Sequence, residues 1–167
     1  MAQILLDEST APSTPSTGKV TLYAKSDGLI YEKDDAGVEN AIIGSVATQT
    51  LTNKTLTSAK ETRTAPTISG GTLTLDLSAS SIFDVSLGAA ITTLTISNPA
   101  ASGTAHGFVL TFTADGTARS VTWGAAVLWP SGTAPTLTST NGKKDKFAFV
   151  TTDGGTTWHG ITVGQNF

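Results

Sequence analysis

The chain contains no cysteine. Neither a disulfide nor a thiolate metal site can brace the fold, so stability has to come from packing and hydrogen bonds. Charge is also scarce: Asp, Glu, Lys and Arg make up 14% of 167 residues, ten basic against thirteen acidic. A net charge of −3 argues against a role driven by phosphate neutralisation, so nucleic acid is not an expected partner. The unbranched helix formers Glu, Lys, Gln and Arg are few, and no apolar run approaches the ~18 residues of a membrane-spanning helix. The opening Met1–Glu8 lacks the basic start and long apolar stretch of a signal peptide. The expectation is a soluble protein made in a cytoplasm, with no membrane insertion.

What the chain has in quantity is threonine, 31 residues, and glycine, 17. β-Branched side chains favour strands and glycine favours turns, so the fold class expected is all-β. Charge is uneven along the chain. Residues 1–39 hold seven acidic side chains against three lysines, a net of −4, which leaves +1 for residues 40–167. A solvated surface explains that more simply than a basic partner does.

Composition changes at Thr50–Ser58, which reads TLTNKTLTS. Its only apolar residues are Leu51 and Leu56, too few to build a core, so apolar surface must come from elsewhere. Before this joint lies a Ser/Thr/Pro segment, Ser9–Gly18, which should be extended and cannot fold by itself. It leads into Val20–Lys25 and Leu29–Lys33, joined by Ser26-Asp27-Gly28, a hairpin turn signal. Val38–Ile43 comes after a second turn. Strands of this number and size are at best marginally stable alone.

After the joint, strand signals come at regular spacing: Thr72–Leu77, Ile82–Leu87, Ile91–Ile96, His106–Phe112, Ser120–Trp123, Val127–Trp129, Lys146–Thr151 and Thr157–Val163. Asp115-Gly116 and Asp153-Gly154-Gly155 read as hairpin turns within this series. The organisation expected is an arm over 1–18, a β-hairpin module over 19–45, and a linker or trimerisation segment over 46–67. A C-terminal antiparallel β-sandwich or jelly-roll-like domain over 68–167 completes it.

Chemistry-bearing patterns are weak. His106 and His159, the only histidines, have no acidic cluster near them in sequence. There is no Gly-x-Ser-x-Gly elbow, and Gly142-Lys143-Lys144 lacks the spacing of a phosphate loop. No catalytic residue, cofactor or metal is expected. Trp123, Trp129 and Trp158 could stack on sugar rings. Alternation assigns Trp123 to the core, sets Trp158 on the face opposite Ile161 and Val163, and leaves Trp129 before Pro130 open.

Two stretches resemble structural proteins of tailed bacteriophages. Ala11–Pro15 followed by Gly18–Tyr31 (GKVTLYAKSDGLIY) resembles a hairpin module of small phage fibre and head-decoration proteins. Thr50–Thr57 (TLTNKTLT) resembles an element of phage tail-fibre and fibre-like proteins. The resemblance covers roughly residues 11–58 and implies a homotrimer without catalytic residues. A threefold assembly would also let Ile42, Ile43, Leu51 and Leu56 bury one another around an axis.

The reading is a non-enzymatic virion protein, a homotrimeric capsid decoration or head fibre. It would attach to the major capsid protein or another virion protein through Ile4, Leu5, Leu6, Pro12 and Pro15, and display the sandwich outward. The competing reading is a tail-fibre or baseplate receptor-binding protein, with Trp129 and Trp158 touching host surface glycans.

Overall fold

The structure is a computed structural model that describes residues 6–42, 55 and 57–167. It is all-β among these residues and divides into two units, Met1–Leu56 and Thr57–Phe167, each taken by itself below.

In the first unit, β1 (Glu8–Ser9) runs parallel to β2 (Thr21–Lys25). β2 pairs antiparallel with β3 (Ile30–Lys33), and β3 with β4 (Glu39–Ala41). The β2–β3 turn closes as the sequence predicts. Gly28 donates to the Lys25 carbonyl at 2.9 Å and takes a φ of +79°, which costs glycine nothing. β1 carries no strand signature, and its pairing is set by the Ser/Thr/Pro segment on its C-terminal side. Rather than standing free, that segment lies back on its own sheet. Lys33 Nζ donates to the Pro12 carbonyl at 3.0 Å, and the Gly18 amide donates to Asp35 at 2.7 Å. Tyr23 is buried and stacks on Tyr31, ring centres 5.9 Å apart.

In the second unit, consecutive strands alternate between two sheets. β5 (Arg63–Thr64), β7 (Ile82–Leu87) and β9 (His106–Ala114) lie side by side in one sheet. β6 (Thr72–Asp76) and β8 (Thr93–Ser97) form the other. Strands that share a sheet are therefore reached after a full turn of the chain and run the same way: β5 with β7, β7 with β9, β6 with β8. The larger sheet continues through β11 (Lys144–Thr151) and β12 (Trp158–Gly164), both antiparallel, to β10 (Val127–Leu128), parallel to β12. Its order is β10-β12-β11-β9-β7-β5.

This corrects the expected antiparallel sandwich. The sheets are mixed, because regular strand spacing fixes how often the chain crosses the molecule, not whether neighbours are successive strands. Ser120–Trp123 is likewise not the hairpin partner of β9. Asp115 turns the chain by accepting from the Thr117 amide and from Arg119, and Val121 makes one parallel bridge to Ile91.

Period-two alternation fixes which side faces in. Leu73 and Leu75 of β6 point inward while Thr72 and Thr74 are exposed. They meet Phe83, Val85 and Leu87 of β7, Phe108, Leu110 and Phe112 of β9, and Phe147 and Phe149 of β11. The Thr-Leu-Thr triplet thus has a clear use here: leucine fills the core and the threonines form the outer face.

Candidate functional site

Both units bury one sheet face and leave the other apolar and exposed. In the first unit the register sets Leu22 opposite Glu32 and Ala24 opposite Ile30, and the Ile42 amide donates to the Ile30 carbonyl. Leu22 is 56% exposed, Ile30 43% and Ile42 43%, and Val20 and Val38 are also exposed. Two carboxylates share this face of the paired strands, Glu32, hydrogen-bonded by Asn40 at 3.2 Å, and the exposed Glu8, which pairs with Ala24.

The opposite face carries the charges. Lys25 donates to Glu39 at 2.8 Å and stands 4.6 Å from the Tyr31 ring centre, with Lys33 at 3.5 Å from the same carboxylate. The Lys25 ammonium, which donates to it, holds the Glu39 carboxyl below its ordinary 4.5. Asp27 is held low by the Leu29 amide and the Tyr31 hydroxyl, which donates at 2.8 Å. These contacts order the turn and the strap. They bring no nucleophile and base together.

In the second unit the outer face of the six-stranded sheet is read from its register. Ile161, Ala148, Val109 and Ile82 stand in one row across β12, β11, β9 and β7. Leu128, His159 and Val150 form the next row. Leu128, Val150, Ile161 and Val163 are all exposed, the last two by 53% and 57%. Charges lie toward one side: Lys144 and Lys146 on β11, and Asp84, which is ion-paired to Arg63.

β12 explains this arrangement. Trp158 and Ile161 lie on opposite faces, as alternation requires, but it is Trp158 that points inward. Gly160 shares the inner side, where an added Cβ would sit 3.0 Å from the Trp129 ring and 3.1 Å from Phe149. Aromatic rings fill the space that a side chain at 160 would need, so the β-branched residues of the strand fall outside.

The two sugar-stacking candidates are therefore corrected. Trp129 and Trp158 are core residues, Trp158 packing edge-on against Phe108 at 5.2 Å and Trp129 against Trp123 at 4.9 Å. Neither offers a ring face to a glycan. Of the other sequence-predicted residues, Leu6 and Ile42 are exposed, and Pro12 and Pro15 are half-buried in the strap. Ile4, Leu5, Ile43, Leu51 and Leu56 lie outside the described residues. Sequence reasoning missed the outer face of the six-stranded sheet because Ile161 and Val163 look like core residues in any alternating strand.

Clefts in the second unit are shallow. One, of 370 Å³, lies over Pro66, Ile68, Asp84 and Ser86, and its carboxylate is the one paired with Arg63. A second, 280 Å³, brings Glu61, Ser80, Ser81 and His106 to one place. There Ser81 donates to Glu61 at 2.6 Å and Ser80 to the Thr62 carbonyl at 2.5 Å, while His106 Nδ1 accepts from the Ala100 amide at 2.9 Å. The lone pair of His106 Nδ1 is thus engaged by a backbone amide. The Asp153 turn uses its carboxylate on its own chain, accepting from the Thr157 amide at 2.9 Å and the Thr151 hydroxyl at 2.7 Å. Among the described residues no three His, Asp or Glu side chains gather as metal ligands, and no helix is long and apolar enough to cross a membrane. Compared with models of known protein families, with curated proteins and with solved structures, the chain gives no match.

Proposed function

We propose that this chain is a non-enzymatic structural component of a bacteriophage particle, a homotrimer acting as a capsid decoration or head fibre. Its first unit attaches to the capsid or to another virion protein, and its second is displayed outward. The observation that carries the reading is the pair of exposed apolar sheet faces. Single exposed apolar residues are ordinary, but here they collect on one side of each sheet, and such patches mark surfaces made for association. The resemblance of residues 11–58 to phage fibre and decoration proteins supplies the setting.

The strap decides which experiment is informative. Removing residues 2–17 would take away β1 and the Pro12 carbonyl that Lys33 binds, so lost attachment would not separate anchoring from folding. Leu6→Asp leaves the strap contacts in place and is the cleaner variant, expected to weaken binding to phage heads. Immunogold electron microscopy with an antibody to the second unit tests the location. Labelled heads are expected; label confined to the tail tip would transfer the reading to receptor binding, and unlabelled particles would overturn it.

A further inference from the structure

We infer that β5 with its flanks, residues 61–67, is an exchangeable strand: it leaves the edge of β7, and the same segment of a second copy takes its place. The inference is independent of the proposed function and of the number of copies in any assembly.

β5 is lightly held. It stands at the end of the strand order and pairs with β7 through Arg63 and Thr64 alone, whereas β7 is held to β9 along the whole of Ile82–Leu87. Residues 57–63 are all exposed, and the hydrophobic core of the second unit takes in nothing before Ile68. The side-chain contacts of the segment lie at the surface. Arg63, 61% exposed, is ion-paired to Asp84, Ser81 donates to Glu61 at 2.6 Å, and Ser80 donates to the Thr62 carbonyl at 2.5 Å. An exposed ion pair stabilises little. Clefts of about 370, 290 and 280 Å³ border residues 61–68, so the segment is thinly packed on several sides. Thr64 Oγ1 is buried there without a hydrogen-bond partner, a cost that release into water removes.

The place it leaves selects what fills it. β7 stays in the sheet, and its bared edge offers backbone groups to any extended chain. Around that edge Ser81 meets a carboxylate, Ser80 a backbone carbonyl and Asp84 an arginine, in the order Glu61-Thr62-Arg63. A second copy carries that order and remakes every contact; an unrelated strand does not. Exchange then alters only the hinge at residues 65–67, which has no regular structure and a cleft on either side of Pro66. Ala65 precedes that proline and is biased toward extended backbone, the form of an arm that reaches another copy. Reciprocal exchange of an identical element is a low-cost route to association.

The absence of cysteine provides a direct test. Arg63→Cys is made in one full-length chain, and Ile82→Cys, at its ladder partner, in another that carries a mass tag. Paired strands stand ~4.8 Å apart, within the reach of a disulfide. The two are mixed, incubated in reductant and then oxidised. Covalent pairs of mixed composition are expected on non-reducing gels, and few when Thr74→Cys on the exposed face of β6 replaces Ile82→Cys. Absence of mixed pairs, or an equal yield with Thr74→Cys, would overturn the exchange. Should either variant lose the near-ultraviolet circular dichroism of the aromatic core, Thr62→Cys with Ser81→Cys, one step back along the same register, gives the same reading. Hydrogen exchange of the wild-type protein tests the release itself. The β5–β7 pairing is expected to open at least about tenfold more often than β9 against β11. A common opening for both pairings would overturn the release, and the exchange with it.

Discussion

Trp158 shows how a single side chain divides the two functions read from the sequence. It is 2% exposed and packs edge-on against Phe108, so its removal opens a cavity rather than a binding site. Trp158→Ala is expected to cost about 3–5 kcal/mol in chemical denaturation; a loss below about 1 kcal/mol would show that the ring is not in the core. Gly160→Val should be destabilising as well, by about 1–3 kcal/mol, since the new side chain meets Trp129 and Phe149. Glu39 gives the pH dependence of the first unit. Its folded carboxyl titrates below the ordinary 4.5, so the unfolded chain takes up the proton first as pH falls. Stability from this contact is complete above that value and is lost on acidification through the folded pKa. Protection factors of the amides over residues 21–41, with the slower intrinsic exchange in acid divided out, should therefore fall on acidification, and Glu39→Gln should flatten that dependence. An acid response identical in wild type and Glu39→Gln would contradict the role given to the Lys25–Glu39 pair.

At the scale of elements, the strap and the alternating strands lead to different expectations. Asp35→Ala removes the acceptor of the Gly18 amide. A net hydrogen bond of about 1 kcal/mol corresponds to roughly fivefold faster exchange at that amide, with strands β2 and β3 little affected; protection equal to wild type would mean that the strap is held by something else. Much of this level was legible in the residues. Leu73 and Leu75 between threonines announced an inward face, and Asp27-Gly28 announced a hairpin. Three things were not. Glu8-Ser9 pairs with β2 while Pro12 and Gly18 find Lys33 and the turn residue Asp35, long-range contacts that local pattern does not carry. The winding of β5 to β9 was hidden for a related reason. Alternation tells which side of a strand is wet, but not which strand lies next to it, and parallel neighbours here are separated by a strand of the other sheet. The inward turn of Trp158 needed the size of Gly160 and its two ring neighbours, again a property of packing. The Thr-Leu-Thr triplets at 50–52 and 55–57 pose the question that β6 and β8 answer for their own leucines, namely which apolar surface is supplied by the rest of the molecule.

For the whole molecule, the two exposed sheet faces predict an assembly protein. Each unit satisfies one side of its sheet internally and leaves on the other an apolar surface with few charges, Glu8 and Glu32 in the first unit and Lys144, Lys146 and the Arg63–Asp84 pair in the second. A chain of −3 net charge with two such faces should not remain solitary at working concentrations. The most direct measurement is the mass of the full-length protein by sedimentation equilibrium at micromolar concentration. The homotrimer reading predicts a single species of three times the 17.0 kDa chain mass, stable to dilution over about tenfold. A monomer of 17.0 kDa across the same range would contradict it.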